Sequence, residues 1–314
     1  MRGILTVYRK ELSDHFSSKK FIILLGLVYL AGLSSIYVSL QNIREAAQAS
    51  TDAFVFLRLF TTTGDVLPSF ITFISFFIPI VGIVFGFDAI NSERNSRNLS
   101  RLLSQPIYRD SVINGKFLAG ITTLSIIITS IVLIISGIGL RIIGVPPTSE
   151  EILRIMVFII ICVFYGTFWM GLSMLFSIIM DKTATSILTA IAIWLFFMFF
   201  LPIIASAIAN AMAPLEDGTL ATQVQNFSIQ KGISRLSPSV LFTEAILIIL
   251  VPTGSHLFLT PVLTSDVERM LLRPISFGQS LIQVWPQIII IFALAIICFA
   301  VSYILFMRQE IRST

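Results

Sequence analysis

Six long apolar runs that contain no acidic, basic or histidine side chain constrain this chain more than any other feature. Each run reaches the roughly 20 residues that an α-helix needs to cross the hydrocarbon core of a bilayer. Hydrophobic residues make up 56% of the 314 residues and charged residues only 12%, whereas a soluble protein carries about 25% charged residues. We predict an all-α, polytopic membrane protein with six transmembrane helices. The predicted spans are residues 21–40, 66–87, 117–140, 155–179, 186–209 and 287–307.

The distribution of Lys and Arg around these runs predicts the orientation of the chain. Thirteen of the 21 Lys and Arg residues lie in the N-terminal segment, the loop 88–116, the short loop after the fourth run and the tail 308–314, which all fall on one side. Half of the other eight lie in one long segment, 210–286, where the positive-inside rule counts charges weakly. We therefore expect a plasma-membrane protein with both termini in the cytoplasm.

The first 20 residues precede the first apolar run and have the pattern of a separate helix. Ile4, Tyr8, Leu12 and Phe16 recur every four residues, while charged side chains fill the other faces. This pattern is typical of an amphipathic helix that lies on the cytoplasmic surface of the membrane. The alternative is a solvated leader that only supplies positive charge.

The segment 210–286 is expected to be extracytoplasmic and to contain interfacial helices. Its apolar run 240–251 lies between Pro238 and Pro252 and includes Glu244. A run of about 12 residues reaches only about 18 Å as a helix, so it cannot cross the membrane alone. We expect it to lie in the interface or to dip into the bilayer.

Catalytic and metal-binding patterns are missing from the sequence. No Gly-x-x-x-x-Gly-Lys-Ser/Thr motif is present, so we expect no ATP binding by a P-loop and no enzyme activity in this chain. His15 and His256 stand far apart without nearby ligands and are expected to be surface histidines. Cys162 and Cys298 lie in apolar runs as buried thiols. The net charge of +4 serves membrane orientation, so no nucleic-acid partner is expected.

The loop 88–116 carries the most regular pattern outside the predicted spans. Glu93, Arg97 and Arg101 are spaced four residues apart, so Glu93 and Arg97 can pair on one helical face. The second, apolar face consists of Leu99, Leu102 and Leu103. Pro106 ends this helix, since its ring would clash with the preceding turn.

A short amphipathic helix between two spans has a mechanical use. Its apolar side can dock into a groove of a soluble partner and transmit the motion of that partner to the membrane helices. Asp110 is expected to cap the next helix, which continues through Lys116 into the third run. The alternative for the whole loop is a solvated turn.

The same loop resembles the signature of a known family. The residues concerned are Glu93-Arg94, Leu99, 102–107 (Leu-Leu-Ser-Gln-Pro-Ile), Arg109 and 115–117 (Gly-Lys-Phe). Their order and spacing are similar to those of ABC type-2 transporter permeases, the exporter subunits that include the permease of nitrous oxide reductase maturation. Arg97 and Asn98 stand where many relatives have Gly-Thr, so the resemblance assigns neither a subfamily nor a substrate.

The resemblance implies that the loop couples the permease to an ATP-binding cassette ATPase subunit. It also implies that two permease subunits, as a homodimer or heterodimer, work with two ATPases among membrane lipid. ATP and magnesium would belong to the partner subunit, and this chain would hold no cofactor. The residues expected to carry the coupling are Glu93, Arg97, Leu99, Leu102, Leu103, Pro106 and Arg109.

Hydroxyl side chains are the main polar groups inside the predicted spans. Their default role is to join helices through hydrogen bonds. In a dimer of the resembling family the second and fifth spans would face the central path, which makes four hydroxyls candidates for lining it. These path candidates are Ser69, Thr72, Ser186 and Thr189. Pro79 and Pro202 interrupt the same two spans and can kink them or shape their packing.

These patterns predict a permease subunit of an ABC exporter that forms the transmembrane path. The rival hypothesis is a membrane scaffold that docks a soluble cytoplasmic partner without moving a solute. A secondary carrier is disfavoured, because ion-coupled carriers usually keep an ionisable group inside the membrane.

Overall fold

The computed structural model describes residues 2–47, 54, 56–61, 69–95, 108–144, 146–215, 219–251 and 275–308. These residues form helices, turns and short connections, and no strand occurs among them. The helices are α1 (Arg2–Ser17), α2 (Lys19–Ala47), α3 (Arg58–Thr61), α4 (Phe70–Gly86), α5 (Asn91–Asn95), α6 (Arg109–Ile143), α7 (Ser149–Ile179), α8 (Thr183–Leu195), α9 (Leu201–Met212), α10 (Leu220–Ser234), α11 (Pro238–Leu250) and α12 (Phe277–Arg308).

The long helices confirm the prediction of an all-α polytopic membrane protein. Within the described ranges, five helical stretches are long and apolar enough to cross a membrane, and the number rises to seven if each of two bent pairs counts as one span. The first bent pair joins α1 to α2 at 62°, and the second joins α10 to α11 at 113°. We call the end of the bundle that holds α1, the end of α4 and the start of α6 the α1 face.

Helix α7 forms the centre of the bundle and packs against α4, α6, α11 and α12. Two glycines of α4 allow the closest of these approaches. A Cβ atom at Gly82 would lie 2.6 Å from the carbonyl oxygen of Gly166, and one at Gly86 would collide with the carbonyl oxygen of Met170. The residue type at these two positions therefore sets the distance between α4 and α7.

The second turn of α7 holds a buried cation that the sequence does not reveal. Arg154 is fully buried. Its guanidinium donates to Glu150 Oε1, to the carbonyl oxygens of Ile249 and Ile275, and to Ser280 Oγ, at distances between 2.7 and 3.2 Å. Arg154 thus joins α7 to the end of α11 and to the start of α12.

The fifth apolar run forms one long helix with a local irregularity. Helices α8 and α9 are joined by a π-helical turn, Phe196–Phe200, which we call the π segment. Pro202 is the second residue after this segment, and its ring would clash with the carbonyl group of Met198 in a regular α-helix. The wider π turn accommodates this proline without breaking the helix.

The apolar run 240–251 lies within helix α11, which folds back into the bundle together with α10. The side chains of Leu241 and Phe242 are buried, and the helix packs against α7 and α12. Near its start, the Tyr165 hydroxyl donates to Ser239 Oγ at 2.8 Å, and Tyr165 is in the middle of α7. The two helices therefore form a re-entrant hairpin whose turn reaches the middle of the bundle.

Candidate functional site

Helix α1 is fixed to the first half of α6. Val7 is buried against Gly115, where an added Cβ atom would lie 2.8 Å from the Val7 side chain. Tyr8 donates a hydrogen bond to Thr122 Oγ1 at 3.1 Å. The α1 residues buried against protein are Val7 and Glu11, whereas Phe16 of the predicted apolar stripe is exposed.

A buried lysine joins three segments at the α1 face. Lys116, in the second turn of α6, has a side chain that is only 5% exposed and lies 2.9 Å from Glu11 of α1 and 2.9 Å from Glu93 of α5. Lys10 lies 3.3 Å from Glu11 and 3.9 Å from Glu93. We call Lys10, Glu11, Glu93 and Lys116 the Lys116 cluster. Its charges balance, which offsets part of the cost of removing them from water.

Helix α5 is held in place by the end of α7. Ser177 Oγ accepts hydrogen bonds from the backbone N–H groups of Ile90 and Asn91 at 3.0 and 3.1 Å. Arg94 pairs with Asp181 at 3.3 Å and donates to a carbonyl oxygen at the end of α7. These contacts orient the first turn of α5 so that Glu93 faces Lys116.

A cavity of about 240 Å³ lies beside the cluster, between α1, the end of α4 and the start of α6. Lys20 and Asp88 form an ion pair at its wall. The expectation of a surface position for His15 is wrong: its ring is half-buried, stacks on Phe85 with centroids 5.0 Å apart, and has Nδ1 3.2 Å from Thr123 Oγ1. The cavity is therefore lined by charges of both signs, and a polar group of a partner could enter it.

Three groups at this face have shifted pKa values. Burial alone would raise the pKa of Glu11, but Lys116 and Lys10 outweigh it and hold that pKa below its ordinary value. Burial lowers the pKa of Lys10, but Glu11 and Glu93 outweigh this effect and raise it. Burial is the largest influence on His15, and with the nearby charge of Lys116 it lowers the pKa of that ring. Lys10 and Glu11 are thus ionised at neutral pH, and His15 is uncharged.

Of the predicted coupling residues, the structure describes Glu93 and Arg109. Glu93 belongs to the Lys116 cluster, and Arg109 is the first residue of α6. The other five, Arg97, Leu99, Leu102, Leu103 and Pro106, lie outside the described residues. The pairing of Glu93 with Arg97 therefore stays a prediction.

The predicted capping role of Asp110 is wrong. Tyr108 occupies the N-cap position with an extended backbone, and Asp110 is already the second residue of α6. Its carboxylate still lies in the first turn, where a negative charge interacts favourably with the helix dipole.

The four path candidates occupy two separate places. Ser69 caps α4 and contacts the Thr72 hydroxyl at 3.0 Å. Ser186 is fully buried with no hydrogen-bond partner for its hydroxyl in the described parts of the chain, and Thr189 donates to a carbonyl oxygen of its own helix. The first pair lies at the start of α4, whereas α8 begins near the α1 face, where α4 ends. A role in lining a path stays a prediction for all four.

The sequence analysis missed Lys10 and Glu11, and it gave Lys116 no ion-pair role. One signal was available: Val7 and Glu11 are one helical turn apart on the same face of α1. That spacing places an acid on the buried face, but the sequence alone does not identify Lys116, more than 100 residues away, as its partner.

Comparison with known proteins agrees with the signature in the loop 88–116. The model of the ABC-2 family transporter proteins matches residues 5–311, which is nearly the whole chain. A search of the curated proteins finds no match.

Proposed function

Since the chain belongs to the ABC-2 family of transporter proteins and is thus a permease component of an ABC transporter, we propose that it forms the path of an exporter driven by a separate ATPase subunit. In this proposal the α1 face is cytoplasmic and both termini lie on that side. The ATPase subunit holds ATP and magnesium.

One observation supports the coupling part of the proposal above all others, namely the Lys116 cluster. It connects α1, α5 and α6 through buried ion pairs of 2.9 Å. Helix α5 leads directly into the segment 96–107, which carries the predicted docking helix. A partner that pulls on this segment would displace Glu93, and the ion pairs would pass the displacement to α1 and α6.

The same proposal includes a second permease subunit and an outward direction of transport. The family implies partnership with an ATP-binding cassette ATPase. Two copies of the permease with two ATPases would rock between inward-open and outward-open states as the ATPases close. The assembly would lie in the plasma membrane.

Co-purification tests the ATPase partnership directly. The tagged full-length chain is purified from its native membrane in mild detergent, and the proteins bound to it are identified and quantified by mass spectrometry. We expect about one ATP-binding cassette subunit per permease. Leu102→Glu should remove this subunit by placing a charge on the apolar docking face. Leu188→Ala is the control, because Leu188 is an exposed residue of α8 outside the segment 96–107.

Two results would overturn the proposal. One is the absence of an ATPase together with a different stable partner, which would favour the scaffold hypothesis. The other is equal retention of the ATPase by wild type and Leu102→Glu, which would remove the docking role of the segment 96–107.

A further inference from the structure

The π segment leaves one backbone carbonyl without a donor from its own helix. The N–H group of Leu201 donates to the carbonyl oxygen of Phe196, five residues earlier. The next residue, Pro202, has no N–H group. The carbonyl oxygen of Phe197 therefore receives no hydrogen bond from the usual position four residues later or from the π position five residues later.

The missing donor comes from the re-entrant hairpin. Ser237 lies in the turn between α10 and α11, is fully buried, and donates from Oγ to the carbonyl oxygen of Phe197 at 3.1 Å. Ser237 is also the N-cap residue of α11, yet its side chain makes no capping hydrogen bond there. A serine at an N-cap normally accepts such a bond. Here its hydroxyl serves the neighbouring helix instead.

The first arm of the hairpin is attached to the second half of the long helix. Helix α10 packs along α9. The Asn226 amide donates to Asn210 Oδ1 and to the carbonyl oxygen of Ala213, both at 2.8 Å. Because Asn226 is buried, water does not compete for these two hydrogen bonds, and they fix α10 to α9.

The second arm is attached to different helices. Helix α11 is bonded to α7 near both of its ends, through Tyr165 and Ser239 and through Arg154 and Ile249. Helix α11 also packs against α12. The turn at Ser237 is therefore where a unit of α9 and α10 meets a unit of α7, α11 and α12.

We propose that the π segment and the turn 235–237 form a single hinge, and that Ser237 is its positioning residue. Helices α9 and α10 move about this hinge as one unit, relative to α7, α11 and α12. The two arms are also joined by ion pairs of Glu244 with Arg235, at 3.0 Å, and with Lys231, at 3.8 Å, which limit the movement. This inference concerns the half of the molecule away from the α1 face and does not depend on an ATPase partner.

Hydrogen exchange measured by mass spectrometry on the full-length chain in lipid nanodiscs tests the hinge. Ser237→Ala should speed exchange by about tenfold in both 198–212 and 220–236, since one hydrogen bond to a buried carbonyl is lost. Ser237→Thr keeps a hydroxyl and should exchange like wild type. Ser239→Ala is the matched control, because it removes a nearby hydroxyl bonded to α7 and should leave 198–212 unchanged.

A second variant tests the role of Pro202 in the hinge. Pro202→Ala supplies an N–H group that can serve the freed carbonyls within the helix, so exchange should slow in 198–212 and 220–236 together. In this background Ser237→Ala should add less than about a twofold change, because its acceptor is already satisfied. This variant also decides the question if Ser237→Ala alone does not fold.

Four results would overturn the hinge. Ser237→Ala could leave both segments unchanged, or could alter only 238–250, which would make Ser237 a simple cap of α11. If Ser237→Ala changed hydrogen exchange equally in the wild-type and Pro202→Ala backgrounds, the Ser237 hydroxyl would not be replacing the backbone N–H group that Pro202 lacks. Slower exchange of Pro202→Ala in 198–212 alone would show that the two helices do not move as a unit.

Discussion

Lys116 is the residue on which the structure of the α1 face depends most. Its ammonium group lies 2.9 Å from each of two carboxylates and is almost completely buried. A buried ion pair adds little net stability when it is complete, but the loss of one partner leaves charge without compensation. The remaining acids would then repel each other at the junction of α1, α5 and α6.

We predict that Lys116→Met destabilises the protein by about 3–5 kcal/mol, the range for breaking a buried ion pair. Thermal unfolding of the full-length chain in detergent measures the effect. Lys19→Met removes an exposed lysine and is the control, with an expected change within about 0.5 kcal/mol. Equal melting temperatures for Lys116→Met and wild type would show that the cluster has no structural role.

A second prediction concerns Arg154, which lies at the end of the bundle opposite the α1 face. Its guanidinium uses all five N–H donors on Glu150, Ser280 and two backbone carbonyls. Arg154→Lys should cost about 2–4 kcal/mol, because an ammonium group has three donors and lacks the planar fork. Arg141→Lys is the matched control, since Arg141 is exposed at the end of α6. A cost for Arg154→Lys as small as that of the control would contradict the buried arrangement.

The lowered pKa of His15 makes the stability of the folded protein depend on pH. Its pKa in the folded protein is lowered by burial, while its pKa in the unfolded chain is about 6.5. The unfolded chain therefore binds more protons as the pH falls below about 6.5, and the folded state loses stability. The other ionisable groups that act on His15 are Glu11, Asp14, Asp88 and Lys116.

In melting curves recorded from pH 7.5 to pH 5, wild type should lose stability toward acid, and His15→Gln should lose less. Glu11 does not contribute to the change in stability over this pH range. Its pKa is lowered, so the stability that its ionised form contributes is lost only below about pH 4.5. Parallel curves for wild type and His15→Gln would exclude the buried neutral state of the ring.

At the scale of single helices, the contact of α4 with α7 can be tested at one glycine. Gly86→Ala would place a methyl group against the backbone of α7 at Met170, and overpacking of this kind costs about 1–3 kcal/mol. Gly137→Ala in α6 is the matched control, because no atom lies within 4 Å of its added Cβ. The control should be neutral or slightly stabilising, since alanine favours helix. Similar melting temperatures for the two variants would contradict the close approach.

The helices themselves follow from the sequence because length and apolar composition are local properties. Long uncharged runs must bury their backbone polar groups in helices wherever lipid replaces water. The re-entrant hairpin could not be predicted in the same way. A run of about 12 residues permits an interfacial helix or one that enters the bilayer, and the depth of α11 depends on tertiary contacts such as Tyr165 with Ser239.

The Lys116 cluster shows the same limit for the candidate site. Glu93 was singled out from the sequence by its spacing to Arg97, which is a local relation. Its contact with Lys116 depends on how α4 and α6 meet, and its neighbour Glu11 comes from a helix near the start of the chain. Periodicity within one helix carries no information about such contacts.

At the scale of the whole molecule, the two proposals concern opposite halves of the structure. The α1 face holds the buried ion pairs beside the predicted docking segment, and the other half holds the re-entrant hairpin with its hinge at the π segment. The long helices α4, α6 and α7 connect the two halves. Helix α8, which begins near the α1 face, also leads directly into the π segment, so motion received at that face has a continuous helical route to the proposed hinge.

The most direct test of the account is ATP-driven transport by the permease and its ATPase in proteoliposomes, measured together with the ATPase retained in the complex. Glu93→Arg should abolish transport while the ATPase stays bound, because it places a like charge against Lys116 and breaks the link from α5 to α6. Asp14→Asn, which neutralises an exposed acid of α1, should transport like wild type. Transport by Glu93→Arg at the wild-type rate would contradict coupling through the Lys116 cluster.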